Sequence, residues 1–166
     1  GPKLRIGSIQ DNSMEVLPGD ILTFVNHPCI GTKEQIYMSY ENFARDVKKG
    51  ETILIDDGKL VFEVLTSNGI DKVQLKCLFG GILSSNKGVN LPETEVSLPS
   101  LTEKDLKDLQ FILNHKVNWI ALSFVRKAQD IEELIQLVEK ANHPAKVIAK
   151  IEKPEAIKYI DDIIAV

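Results

Sequence analysis

The sequence predicts two regions of different secondary structure, an all-β region followed by an α/β region. Before about residue 98, short β-rich runs are separated by turn signals. After it, apolar residues recur at helical spacing, and these stretches alternate with short β-branched runs. Runs of short strands favour a small antiparallel barrel or sandwich, whereas helix–strand alternation favours a parallel sheet or barrel. The predicted fold class is therefore α/β plus all-β.

Composition and charge exclude several classes of protein. The chain has 166 residues, of which 43% are hydrophobic and 27% are charged, as in a globular rather than a disordered protein. The net charge is -4 and no basic run interleaves with aromatic residues, so no nucleic-acid partner is predicted. No apolar run approaches the ~20 residues of a membrane span. Cys29 and Cys77 are widely separated, which is typical of a reducing, cytoplasmic compartment.

The first region carries three clear turn signals. Leu17-Pro18-Gly19-Asp20 precedes an apolar run at 21–25. Asp56-Asp57-Gly58 and Asn68-Gly69 each lie between alternating apolar residues, a strong indication of a β-hairpin. One helical interruption is expected at about 40–48. Several short strands at this spacing predict a small β-barrel or sandwich.

The second region alternates helices and strands. Thr102 to Asp105 resembles a capping box, with Asp in place of the usual Glu or Gln. The pattern predicts helices at about 102–113, 130–140 and 154–159, and strands at 117–125, 147–151 and 163–166. The residues expected to face the core are Leu106, Leu109, Leu113, Ile131, Leu134 and Val138. An eight-fold barrel needs ~250 residues. We therefore expect this region to be part of a larger protein.

The stretch from Val147 to Glu155 is the strongest candidate for chemistry. Because side chains alternate along a strand, Lys150 and Glu152 leave the same face, close to the strand's carboxyl end. In barrels of alternating strands and helices, the chemistry lies at this end of the strands. A lysine beside a carboxylate there could neutralise a phosphoryl group while the carboxylate holds a divalent metal. The alternative is an ordinary salt bridge at a strand end.

A glycine-rich stretch at 80–92 is a second candidate. Its hydroxyl groups and its lysine, Lys87, could approach phosphate oxygens, although it lacks the Gly-Lys-Ser/Thr ending of a P-loop. The alternative is a loop between strands. Asp56 and Asp57 could serve as metal ligands or lid contacts, or could simply form a hairpin turn.

Taken together, these stretches resemble one family, pyruvate kinase, over essentially the whole chain. The motifs that carry the resemblance, in the family's order, are Gly1-Pro2-Lys3-Leu4-Arg5, Leu17-Pro18-Gly19-Asp20, Ile55-Asp56-Asp57-Gly58, Ser85-Asn86-Lys87-Gly88-Val89-Asn90-Leu91-Pro92, Leu101-Thr102-Glu103-Lys104-Asp105, Ala121-Leu122-Ser123-Phe124-Val125-Arg126 and Ile148-Ala149-Lys150-Ile151-Glu152. The resemblance implies a partial TIM (β/α)8 barrel with an inserted small β-barrel domain. Residues 1–7 would end a barrel strand, 8–97 would form the inserted lid domain, and 98–166 would belong to the catalytic barrel.

The resemblance also implies a reaction, the transfer of a phosphoryl group from phosphoenolpyruvate to ADP. Lys150 would be the catalytic lysine that balances charge on the phosphoryl group and the enolate. Arg5 would lie beside the active-site cleft as a second catalytic residue. Glu152 would be a ligand of the essential Mg²⁺ or Mn²⁺. The parent protein would bind phosphoenolpyruvate and ADP or ATP, and is expected to be a homotetramer.

Further roles follow from the same resemblance. Lys87 would bind the nucleotide phosphates when the small domain closes, and Asp57 would be a lid residue. Ser123 and Phe124 would line the pocket. Asn86 replaces a second basic residue found in some relatives.

Lys3 stands where many family members carry Glu. Members with Glu there generally need K⁺, so a Lys at this position implies an enzyme without that requirement. Its ammonium group would substitute for the monovalent cation. The chain lacks several family motifs, including a second metal carboxylate, so by itself it is expected to be inactive.

Two rival functions remain at this point. One is another barrel enzyme, such as a Schiff-base lyase that uses Lys150 as the nucleophile and Glu152 as the proton shuttle. The other is a β-barrel ligand-binding module formed by residues 8–97, with residues 98–166 as a structural appendage.

Overall fold

A computed structural model describes residues 3–166, which form two compact units, residues 3–97 and 98–166. The predicted first segment, residues 1–7, is only partly covered, because Gly1 and Pro2 lie outside the described residues. No helix among the described residues is both long and apolar enough to cross a membrane.

The unit at 3–97 is built on a six-stranded mixed sheet. The unit has eight strands, six of which form this sheet, and one α-helix. They are β1 (Ser13–Val16), β2 (Ile21–Val25), β3 (Ile36–Tyr37), β4 (Thr52–Ile55), β5 (Leu60–Ser67), β6 (Lys72–Phe79), β7 (Gly81–Ser84), β8 (Val89–Asn90) and α1 (Phe43–Asp46). The large sheet has the order β3-β2-β6-β5-β4-β8, and β1 pairs separately with β7. Every pairing is antiparallel except that of β2 with β3.

The segment around Arg5 and Ile6 links the two edges of this sheet. Arg5 forms a β-bridge with Gly88, immediately before β8, while Ile6 bridges Met38, immediately after β3. β3 and β8 are the two edge strands, so these contacts curl the sheet toward closure. The predicted small β-barrel domain is thereby confirmed.

Alternation of buried and exposed residues explains why these strands form. Along β6, Val73, Leu75 and Cys77 are buried while the residues between them are exposed. Both predicted hairpins are confirmed: Asp56-Asp57-Gly58 joins β4 to β5, and Asn68-Gly69 joins β5 to β6. The predicted helix at 40–48 is shorter than expected, because only residues 43–46 are helical.

The unit at 98–166 begins with alternating helices and strands. Its elements are α2 (Glu103–Leu113), β9 (Trp119–Leu122), α3 (Ala128–Lys140), β10 (Lys146–Ala149), α4 (Pro154–Lys158) and α5 (Ile160–Ala165). β9 and β10 pair in parallel. The predicted capping box is confirmed, since Thr102 and Asp105 exchange hydrogen bonds between side chain and backbone in both directions.

The core of this second unit lies between the helices and the two strands. Ile131, Leu134 and Val138 on α3 are buried, as predicted. The prediction for α2 was partly wrong. Leu109 is buried and Leu113 packs against the core, as predicted, but Leu106 is 37% exposed, and Ile112 packs against the core in its place. The inward stripe therefore follows the spacing 109, 112, 113 and does not reach back to the first turn of the helix.

The strand predicted at 163–166 was also wrong, because this segment belongs to helix α5. A short apolar run is compatible with either a buried strand or a helix. Here the N–H of Ile163 donates to the carbonyl oxygen of Tyr159, a helical hydrogen bond. Ile163 is buried and Ile164 is 74% exposed, as expected for successive residues on a one-sided helix.

Candidate functional site

The candidate site lies where the two parallel strands of the second unit end. Leu122, the last residue of β9, is paired with Ala149, the last residue of β10. The N–H of Lys150 donates to the carbonyl oxygen of Leu122 at 3.0 Å, which continues the ladder one residue further. Residues that follow both strands therefore leave the same carboxyl edge, where α/β sheets place their ligands.

Lys150 makes two polar contacts at this edge. Its Nζ lies 3.0 Å from Glu152 Oε1 and donates to Ser123 Oγ at 3.0 Å. The Lys150 side chain is 45% exposed and that of Glu152 is 34% exposed. The two side chains lie together, but β10 ends at Ala149, so the strand predicted to reach residue 151 is shorter and both residues follow it. An ammonium group has three N–H donors, so these contacts leave one for a further acceptor.

The other oxygen of Glu152 binds the chain that follows β9. Oε2 accepts a hydrogen bond from the backbone N–H of Phe124 at 3.0 Å. Phe124 has a φ of 57°, in the left-handed region that an aromatic residue rarely adopts. Such conformations cost of order 1–3 kcal/mol and cluster at functional sites. The Glu152 carboxylate is therefore held by a side chain from one strand end and a strained backbone from the other.

These contacts lower the pKa of the Glu152 carboxyl. Burial favours the neutral acid, but the hydrogen bonds from Lys150 and from the Phe124 N–H outweigh it. The ionised form is therefore favoured at the site. The resulting stabilisation is fully present above the pKa of the unfolded chain and is lost as the pH falls through the lower folded-state value.

We expect a Lys150→Met substitution to raise the pKa of Glu152, because it removes the closest cation and one hydrogen bond. The measurement is an NMR titration of the side-chain carboxyl carbon of Glu152 in this chain. A Lys158→Met variant, which changes an exposed lysine on α4, is the control and should leave the titration unmoved. An unchanged Glu152 titration in Lys150→Met would contradict the ion pair.

A further cation lies beside Phe124, and sequence reasoning did not single it out. Lys153 Nζ lies 5.8 Å from the centre of the Phe124 ring. Burial, together with the nearby charge of Arg126, lowers the pKa of Lys153. Arg126 is itself paired with the buried Asp130, at 3.4 Å. The sequence did offer one indication of Lys153, because this lysine follows Lys150 by only three residues.

The donor set at this edge is compatible with Mg²⁺ but not with a metal cage built only from protein. Among residues 3–166, no group of three or more His, Cys, Asp or Glu side chains could hold a metal ion. Mg²⁺ usually binds one or two carboxylates together with waters and substrate phosphates. Glu152 is a partly exposed carboxylate whose oxygens have lone pairs to spare. It fits such a site as a single protein ligand.

A second cluster of charged residues lies within the unit at 3–97. Arg5 Nη1 donates to the carbonyl oxygen of Asn86 at 2.8 Å, and Lys87 Nζ lies 2.9 Å from Asp56 Oδ1. The N–H of Asp56 donates to the carbonyl oxygen of Gly88 at 3.0 Å. Of the predicted site residues, Lys87 is therefore held by Asp56, and Arg5 by the neighbouring Asn86.

Two predicted site residues lie outside these clusters. Asp57 is exposed at the tip of the β4–β5 hairpin, with a φ of 56°. Lys3 is exposed near the start of the described chain. The lid role of Asp57 and the cation role of Lys3 stay predictions.

Comparison with known proteins assigns the family. The family model described as "Pyruvate kinase, barrel domain" matches residues 1–166. A pyruvate kinase of Corynebacterium efficiens is 37% identical over 99% of this chain and 34% of its own length. Pyruvate kinase 2 of Synechocystis sp. is 41% identical over 99% of this chain and 28% of its own length.

A solved structure agrees with the sequence relatives. The crystal structure of a pyruvate kinase from Cryptosporidium parvum superposes with a TM-score of 0.89 and 31% identity, over 99% of this chain and 35% of that one. The chain therefore spans about a third of the length of the relatives it matches. On these grounds the chain belongs to the pyruvate kinase family.

Proposed function

We propose that this chain is part of an enzyme that transfers a phosphoryl group from phosphoenolpyruvate to ADP, giving pyruvate and ATP. The observation that carries the proposal is the cluster at the paired strand ends, in which Lys150 and Glu152 lie 3.0 Å apart. In phosphoryl transfer, a protein contributes mainly by positioning the reactants and by stabilising charge. The cluster offers both, because its cation and its carboxylate are each held by a residue after β9.

Lys150 has the central role in this mechanism. As the phosphoryl group leaves the enol oxygen of phosphoenolpyruvate for a β-phosphate oxygen of ADP, negative charge collects on the transferring group and on the enolate. The ammonium group of Lys150 stabilises that charge, and Ser123 and Glu152 hold the ammonium group in place. The enolate then takes up a proton to become pyruvate. Phe124 supports the pocket through its N–H on Glu152.

A divalent cation completes this proposal. Glu152 would hold Mg²⁺ or Mn²⁺, and the bound ion would neutralise phosphate charge. Its carboxylate is suited to this because it remains ionised at neutral pH, as its lowered pKa indicates.

We propose that the β-barrel unit contributes the nucleotide contacts. Lys87 would bind the nucleotide, because phosphate oxygens are natural partners of its ammonium group. Arg5, which donates to the carbonyl oxygen of Asn86, would be a catalytic residue beside the cleft. Asp57, at the exposed hairpin tip, would act as the lid residue. We further propose that residues 98–166 form part of a TIM barrel, that the parent enzyme is a homotetramer, and that it acts in the cytoplasm.

The test is pyruvate formation by the full-length protein with phosphoenolpyruvate, ADP and Mg²⁺, omitting each in turn. We expect turnover that requires all three. In a Schiff-base lyase, borohydride would instead trap a carbonyl substrate covalently on Lys150. The ion pair of Lys150 with Glu152 favours the kinase, because a nucleophilic lysine needs its lone pair free.

We expect the full-length enzyme to be active without K⁺, because the ammonium group of Lys3 would supply the positive charge. The measurement is the turnover rate in a buffer free of K⁺ and Na⁺, before and after the addition of K⁺. A Lys3→Glu variant should gain a K⁺ requirement. Strong activation of the unmodified enzyme by K⁺ would contradict the role of Lys3.

We expect the 166-residue chain alone to show no turnover. Glu152 is the one carboxylate proposed as a metal ligand, and the described residues hold no larger metal-binding group. The measurement compares pyruvate formation by this chain with formation by its Lys150→Ala variant at equal concentration. Turnover above that of the variant would contradict the expectation.

A further inference from the structure

We propose that Asp56 is a positioning residue for nucleotide binding, which holds the ammonium group of Lys87 ready for phosphate. The inference rests on the proposed function and extends it to a residue with no assigned role. The inference depends only on contacts within the β-barrel unit. The inference and the proposed function can therefore be tested separately.

Asp56 holds Lys87 by both side chain and backbone. Its Oδ1 lies 2.9 Å from Lys87 Nζ. Its N–H donates to the carbonyl oxygen of Gly88, the next residue after Lys87. The hairpin turn and the lysine loop are therefore joined at two points, which restricts the many rotamers of a free lysine.

The pairing leaves the lysine able to bind a ligand. Asp56 uses one of the three N–H donors of Lys87, and the Lys87 side chain is 34% exposed. The Asp56 side chain, by contrast, is only 15% exposed. The carboxylate thus lies behind the ammonium group rather than in front of it.

The charge balance of the cluster also favours an anionic ligand. Lys59 Nζ lies 3.1 Å from Oδ2 of Asp56, so one carboxylate faces two lysines. Arg5 donates to the carbonyl oxygen of Asn86, the residue before Lys87. The hydrogen bonds from Lys87 and Lys59 lower the pKa of Asp56, so the carboxylate stays ionised. Two lysines against one carboxylate leave a net positive charge for nucleotide phosphates.

The backbone conformation of the turn allows a conservative test of Asp56. Asp56 and Asp57 both have positive φ, 53° and 56°, in the left-handed region that Asp and Asn tolerate best. Substitution by asparagine therefore preserves the turn while removing the charge. Asp11, in the same unit, is also exposed and has a φ of 54°, so Asp11→Asn is a matched control for the same chemical change.

The experiment measures the KM of ADP and of phosphoenolpyruvate in the full-length enzyme and its variants. We expect Asp56→Asn to raise the KM of ADP about fivefold, with little change in the KM of phosphoenolpyruvate, since partly exposed ion pairs have modest coupling. Asp11→Asn should leave the KM of ADP unchanged. The thermal midpoint of each variant should stay close to that of the unmodified enzyme.

A double-mutant cycle separates positioning from a general effect on structure. In a Lys87→Ala background, Asp56→Asn should change the KM of ADP no further, because the group that it positions is gone. An equal effect in both backgrounds, or an unchanged KM of ADP in Asp56→Asn, would overturn the inference while leaving the proposed function intact. Absence of phosphoenolpyruvate-dependent turnover in the unmodified full-length enzyme would instead overturn the proposed function.

Discussion

Replacing Lys150 by alanine in the full-length enzyme is expected to lower kcat about a thousandfold. A unit charge ~4 Å from another contributes up to about 4 kcal/mol at an effective dielectric near 20, and each ~1.4 kcal/mol is tenfold in rate. The loss should fall on kcat more than on KM, because the charge that Lys150 stabilises is largest in the transition state.

The control for this substitution is Lys158→Ala, which removes an exposed lysine from helix α4 in the same unit. Its kcat should equal that of the unmodified enzyme. Far-ultraviolet circular dichroism of both variants verifies that helix and strand content is retained. If kcat of the Lys150→Ala enzyme is within tenfold of that of the unmodified enzyme, Lys150 has no central role in the reaction.

Replacing Glu152 by alanine is expected to lower turnover at least about a hundredfold in Mg²⁺, because removal of the groups that merely orient a metal ligand already costs about 10–100-fold. The substitution removes the proposed metal ligand. It also removes the hydrogen-bond acceptors of Lys150 and of the strained Phe124 backbone. The measurement is the rate of pyruvate formation as a function of Mg²⁺ and then of Mn²⁺ concentration.

The metal dependence distinguishes a ligand from a purely structural residue. If Glu152 binds the metal, excess Mn²⁺ should partly restore turnover, and the activating metal concentration should rise. Glu132→Ala, which removes an exposed carboxylate from α3, should leave both curves unchanged. Lost turnover with an unaltered metal dependence would place the metal elsewhere.

The cluster at the strand ends was predictable from the sequence because strand geometry is regular. The alternation of side chains placed Lys150 and Glu152 on one face, and the structure brings them together. The two hairpins were predictable for a similar reason, since Asp-Gly and Asn-Gly turns have strong local preferences. Local rules such as these do not depend on the rest of the chain.

Contacts between segments distant in sequence were not predictable in this way. Nothing in the local sequence indicates that Asp56, rather than its neighbour Asp57, faces Lys87, because the choice depends on how the hairpin meets a loop 31 positions later. The strained conformation of Phe124 is likewise a property of the folded chain. The helix at Ile160–Ala165 was misassigned because a short β-branched run fits both types of element.

Phosphorus NMR of the full-length protein with phosphoenolpyruvate, ADP and Mg²⁺ follows both the donor and the product of the proposed phosphoryl transfer. We expect the phosphoenolpyruvate signal to fall as the γ-phosphate signal of ATP rises, one for one. Release of inorganic phosphate without ATP, or an unchanged spectrum, would contradict phosphoryl transfer to the nucleotide.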